Sequence, residues 1–171
     1  MTFSLIDTHS HIDMQDFDSD FESIIQKAKD ANVEKIIVPS VDVNSFDKII
    51  KIANHYENVY YALGIHPSEA HKAKDEDFER ILKLSNREKL VAIGECGLDY
   101  YWDKTYINEQ KKVFSKQIEI ANNLKKALIV HDREAHKDTF DILTSEAKDI
   151  PVVMHCFSGS VEFAKECIKK G

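Results

Sequence analysis

"ALIVHDREAHKDTFDILTSEAKDIPVVMHC", residues 127–156, is the stretch from which the fold can be read. It opens on an apolar run at 127–132 and closes on another at 151–156. Between them "REAHKDTFDILTSEA" spaces its charged and apolar residues as a helix does. A strand, a helix and a second strand in that order make one parallel βαβ unit. Each run also delivers a histidine near its far end, His131 in the first and His155 in the second.

The same alternation extends toward the N-terminus. Strand-like runs recur at "FSLIDTH" (3–9), "KIIVPSV" (35–41), "VYYALGI" (59–65) and "LVAIGE" (90–95). Helical segments separate them. Ser19 and Glu22 fit a capping box for the first, with Asn32 at its far end. Asn44 is the expected cap of the second, whose Phe46, Ile49, Ile50 and Ala53 share one face. Asp75 or Asp77 opens the third, the fourth covers 106–124, and "SVEFAKECIKK" forms the last.

Six strand–helix units in strict order predict an α/β fold with a parallel sheet in one domain, 1–171. A complete eight-unit barrel needs about 250 residues. Two architectures therefore fit: an open doubly wound sheet, or a barrel with six of its eight βα units.

Composition narrows the partners. No run of about 18 apolar residues is present, so no membrane span is expected. The first residues lack a basic segment and a long apolar core, which argues against a secretory signal. Three cysteines, Cys96, Cys156 and Cys167, suit a reducing cytoplasm better than a disulfide framework. Cys96 and Cys156 are expected as buried thiols. The net charge of −7 is wrong for wrapping nucleic acid in a broad basic face. A nucleic-acid substrate would have to be held locally, as at a strand end.

The polar residues concentrate at strand ends. Side chains at i and i+2 of a strand share a face, so Asp7, His9 and His11 of "LIDTHSHID" should point together. Glu95, His131 and His155 each follow an apolar run, where a polar group is costly unless paired or bound to metal. Sites of parallel α/β folds are built at the carboxyl ends of strands. Imidazole and carboxylate together bind zinc, manganese and related ions. A carboxylate has two oxygens, so Glu95 can bridge two cations, with His9 and His11 on one and His131 and His155 on the other. The nucleophile would then be a metal-bound water.

Other residues carry weaker signals. His66 in "GIHPSEA" either contacts substrate or is a turn histidine, and Arg133 either pairs with phosphate or starts a helix. "FSGS" (157–160) either holds an anion or caps the last helix. "DYYWDKTYIN" (99–108) is an aromatic loop that either stacks on a base or sugar or lids the barrel mouth. His55, His71 and His136 are expected in solvent.

"DTHSHID", "GIHPSEA", "GECGLDY", "HDREA" and "HCFSGS", in this order along the chain, resemble the TatD family of metal-dependent hydrolases. The resemblance implies a TIM (β/α)8-type barrel, two divalent ions (magnesium, manganese or zinc) and deoxyribonuclease activity, commonly 3′-to-5′ exonucleolytic. By the same resemblance His9, His11, Glu95, His131 and His155 match metal ligands, Glu95 is catalytic as the bridge, and His66 and Arg133 match substrate positions. The family also carries an aspartate in a Thr-Asp motif on a later strand, and none follows "FAKECIKKG". A shortened barrel with impaired activity is therefore expected, whose open edges invite association. The alternatives are hydrolysis of another ester or amide, such as an aminoacyl-tRNA ester, or a metal-binding fragment without activity. The lack of a lysine in the fourth strand favours Glu95 and phosphoester chemistry.

Overall fold

A computed structural model describes residues 3–171. Six strands follow one another: β1 (Leu5–Asp7), β2 (Val33–Pro39), β3 (Val59–Leu63), β4 (Leu90–Asp99), β5 (Ala127–Arg133) and β6 (Val152–Met154). A helix follows each: α1 (Phe21–Asp30), α2 (Phe46–His55), α3 (Asp75–Leu84), α4 (Ile107–Leu124), α5 (His136–Glu146) and α6 (Val161–Lys170). Every pairing is parallel, and the order across the sheet is β1-β2-β3-β4-β5-β6.

That order decides between the two architectures. A doubly wound sheet reverses its order at a switch point and carries helices on both faces. A monotonic order with right-handed crossovers keeps every helix on one face, as in a barrel. The chain is thus an α/β half-barrel of TIM type.

Strand parity separates two apolar layers. Val38, Tyr61, Leu63, Ile93, Leu128 and Val130 face outward into the main core under the helices. There α2 contributes Phe46 and Ile49, and α4 contributes Phe114 and Ile118, all fully buried. Each such buried side chain stabilises the fold by about 1.5–3 kcal/mol. Ala62, Ala92 and Ile129 form the smaller inner layer, with Ile37 and Ala127 against it. Leu5 and Ile6 of β1 and Val153 of β6 lie about half exposed at the two ends of the sheet.

Several local expectations change. Asp20, not Ser19, precedes α1, and Ser19 Oγ donates to the Asp20 carboxylate at 2.9 Å instead of closing a capping box. Asn32 does end that unit, with φ of +60°. Asn44 is not the cap before α2. Asp42 accepts from the N–H groups of Asn44 and Ser45 and starts a 3-10 turn that leads into the helix. At α3 the Asp77 carboxylate reaches back to the Lys74 N–H at 2.8 Å. Ser160 caps α6 through the Phe163 N–H at 3.1 Å, the simpler of the two readings of "FSGS".

Candidate metal centre

The inner layer ends in a polar rim at the carboxyl ends of the strands. Ala127 and Ile129 face inward on β5, and the same parity turns His131 inward. His155 follows β6 and continues its ladder, its N–H donating to Val130 at 3.1 Å. β4 runs on past Glu95 to Asp99, longer than its apolar run suggested. Glycine allows this extension beside β5. Gly97 has φ of +136°, and a β-carbon there would collide with the His131 carbonyl.

His9 and His11 lie beyond β1, which ends at Asp7 before a bend at Thr8. The Ser10 N–H donates to Ile37 of β2 at 3.1 Å and ties this segment down. Strand parity therefore stops short of the histidines. Asp7 is exposed and accepts the His9 N–H at 3.1 Å, so it does not join the cluster as its spacing suggested.

Glu95 is the hub, 3% exposed. Its Oε2 lies 3.1 Å from His9 Nε2 and 3.5 Å from His11 Nε2. Its Oε1 lies 2.9 Å from His155 Nε2, 3.0 Å from His131 Nδ1 and 3.7 Å from His66 Nε2. The two oxygens thus divide the imidazoles into the two groups drawn from the sequence, with His66 added to the second.

Charge in the cluster is tightly balanced. Burial opposes the Glu95 charge, but hydrogen bonds with His11, His131, His155 and His9 outweigh it and hold the carboxyl far below its ordinary range. The hydrogen bond to Glu95 raises His11. Burial pulls His131 down, yet Glu95 and Asp99 together raise it. Burial dominates at His66 and lowers it to about 4, so its ring is neutral at pH 7.

The donor set fits divalent cations. His9 Nε2 and His11 Nε2 lie 3.1 Å apart, and the buried Nδ1 atoms of both rings have no hydrogen-bond partner among the described residues. Two nitrogens aimed at each other and at one carboxylate oxygen are satisfied by a shared cation. His9, His11 and Glu95 could hold one ion, and His66, Glu95 and His131 have the spacing for another.

Asp99 was not singled out in the sequence. It is 4% exposed, and its Oδ2 lies 2.9 Å from His131 Nε2, across the ring from Glu95. Its Oδ1 accepts the N–H groups of Tyr101 and Trp102. The signal was present: Glu95, Gly97 and Asp99 alternate on one face if the strand is read through the glycine. Behind the site α4 supplies two buried glutamines. Gln110 clamps both backbone groups of Asp99, and Gln117 clamps both of Ile65, next to His66.

The remaining expectations divide. Arg133 ends β5 on the exposed rim, outside the cluster, with its guanidinium 4.7 Å from the centre of the Tyr101 ring. Cys96 is fully buried, and burial pushes its thiol up. Cys156 is exposed, because the chain leaves the strand before it and turns with φ of +46°. His136 is not free in solvent: at the start of α5, its Nδ1 lies 2.6 Å from the carboxylate of Asp132 near the end of β5. His71 is exposed but stacks on Tyr106, and His55 is exposed. No helix among the described residues is long and apolar enough to cross a membrane.

Residues 6–171 match the family described as TatD related DNase. An uncharacterized metal-dependent hydrolase of Bacillus subtilis, YabD, is 42% identical over 96% of this chain and 65% of its own length. The 3′-5′ ssDNA/RNA exonuclease TatD of Cronobacter turicensis is 30% identical over 98% of this chain and 64% of its own. The crystal structure of YjjV, a TatD homologue from Escherichia coli, superposes with a TM-score of 0.90 at 33% identity, covering 97% of this chain and 65% of that one. The chain thus spans about two thirds of the length of these relatives. With the half-barrel and its Glu95-centred imidazoles, these matches place the chain in the TatD-related DNase family of metal-dependent hydrolases.

Proposed function

We propose that this chain provides the metal centre of a phosphodiesterase that removes nucleotides from the 3′ end of single-stranded nucleic acid, DNA foremost, in the cytoplasm. The observation that carries this reading is the division of imidazoles between the two oxygens of Glu95, which suits a carboxylate shared by two cations. His9 and His11 would hold one ion, His131 and His155 the other, and magnesium, manganese or zinc suits these donors. Such ions supply Lewis-acid charge to a phosphoryl oxygen and acidify a coordinated water.

The chain's own groups define the rest of the site. Glu95 stays ionised and fixes the separation of the two histidine groups. Asp99 holds His131 from behind, the carboxylate–histidine arrangement that orients metal ligands. His66 has a different role, fixed by its tautomer. The Ser68 N–H donates to His66 Nδ1 at 3.2 Å, so the proton of the neutral ring sits on Nε2 and faces the site. His66 is therefore a hydrogen-bond donor suited to a phosphate oxygen, and its spacing alone does not make it a ligand. Arg133 is the rim cation available to the next phosphate.

The test is cleavage of 5′-labelled single-stranded oligonucleotides by the chain with magnesium, manganese or zinc. Stepwise shortening from the 3′ end, abolished in Glu95→Gln, is expected. Turnover of amide or aminoacyl esters in preference to oligonucleotides would replace this reading.

A further inference from the structure

A cavity of about 140 Å³ lies beside the metal centre, and His66 and Asp99 line it. Its outer walls are aromatic, Trp102 and Tyr106. It is smaller than the roughly 300–1,000 Å³ of sites that enclose a drug-sized ligand, and suits a single planar ring system. Trp102 is 81% exposed, the most exposed of the large apolar side chains among the described residues. Its position is nonetheless built. Asp99 Oδ1 accepts the Trp102 N–H at 3.0 Å and the Tyr101 N–H at 2.9 Å, so one carboxylate orients His131 and pins the aromatic loop. Tyr101 stands edge-on to Trp102 with ring centres 4.9 Å apart and carries the Arg133 guanidinium. His71 stacks on Tyr106 at 4.4 Å and steadies the other wall.

Resting on the reading above, we infer that this cavity receives the unstacked base of the terminal nucleotide, with Trp102 as its stacking platform. Charge supports a base over a phosphate. Asp99 and Asp103 line the cavity and repel anions, while a neutral base stacks without needing a counter-charge. A chain of net charge −7 cannot depend on broad electrostatic attraction. Stacking supplies affinity that salt does not screen, and it tolerates any base because each has a π-face. The cavity has no room for a base pair, so the end must be single-stranded.

Trp102 is the only tryptophan in the chain, so its fluorescence reports the site directly. Metal-free protein is titrated with a short single-stranded oligonucleotide and with the same strand lacking its 3′-terminal base. The intact strand should quench Trp102 saturably, and the abasic strand should bind about 5- to 150-fold more weakly. Trp102→Ala, followed by fluorescence anisotropy of a labelled strand, should lose the same factor for the intact strand and nothing further for the abasic one. Trp102→Phe should recover part of the loss. Equal affinity for the two strands, or no quenching, overturns the inference. Cleavage is scored separately: 3′-end trimming that ignores the terminal base refutes this site but leaves the phosphodiesterase reading standing. Base-dependent quenching without oligonucleotide cleavage does the reverse.

Discussion

Replacing Asp99 with asparagine should weaken divalent-metal binding by about 10- to 100-fold while the chain still folds. The position of the His131 ring proton decides the effect. His131 turns Nδ1 toward Glu95 at 3.0 Å and Nε2 toward Asp99 at 2.9 Å. For Nδ1 to offer a lone pair to a cation, the proton must sit on Nε2 and be donated to Asp99. Asparagine keeps an oxygen for the Tyr101 and Trp102 N–H groups but sets an NH₂ group against the Nε2 proton. One escape moves the proton to Nδ1 and removes the lone pair from the site. The other flips the amide and turns its NH₂ toward two backbone donors. Each buried mismatch costs about 1–3 kcal/mol; the first escape leaves none and the second leaves two, so the metal-free protein takes the first, and a cation at Nδ1 restores the one clash at Nε2. The expected loss of affinity corresponds to about 1.4–2.8 kcal/mol, the size of that single mismatch. Calorimetric titration of the metal-free protein with Zn²⁺ and Mn²⁺ measures it, and urea unfolding checks the fold. Undiminished affinity in a normally folded variant would refute the claim that Asp99 sets the His131 tautomer.

Without metal, stability should peak near the ordinary imidazole value of 6.5. His11 and His131 are raised in the fold, so their contribution is complete below 6.5 and is lost as pH rises through their raised values. His66 is lowered to about 4, so its contribution is complete above 6.5 and is lost as pH falls toward 4. Melting curves in a chelator across roughly pH 5 to 9 read this out, and a continuous rise to the alkaline end would contradict it. Gln117→Leu should cost about 2–6 kcal/mol in urea unfolding, because it orphans both backbone groups of the buried Ile65. A loss below about 1 kcal/mol would mean that another partner takes over the clamp. Gly97→Ala should destabilise by a similar amount through positive φ and collision with the His131 carbonyl, and a fully stable variant would show that β4 and β5 can separate there.

Much of the fold was legible from local pattern. The six apolar runs and the intervening helical segments all exist, because side-chain periodicity records which face of each element is buried. The convergence of His131, Glu95 and His155 at the strand ends was legible for the same reason. Capping was less so. Asp42 and Asn44 are both good N-cap residues, and only the backbone turn chose the first.

Sequence alone determined the number and order of the strand–helix units and the imidazoles and carboxylate offered near the carboxyl ends of the strands. All of these follow from neighbours a few residues apart. Tertiary structure decided what depends on distant segments meeting. The monotonic strand order chose the barrel arc over the doubly wound sheet. The bend after β1 sent Asp7 outward while His9 and His11 turned in. Close approach at Gly97 let β4 run on to Asp99, and the α4 glutamines fixed the backbone beneath Asp99 and His66. Periodicity states which way a side chain points from its own backbone, but which groups it meets is set by packing between segments far apart in the chain.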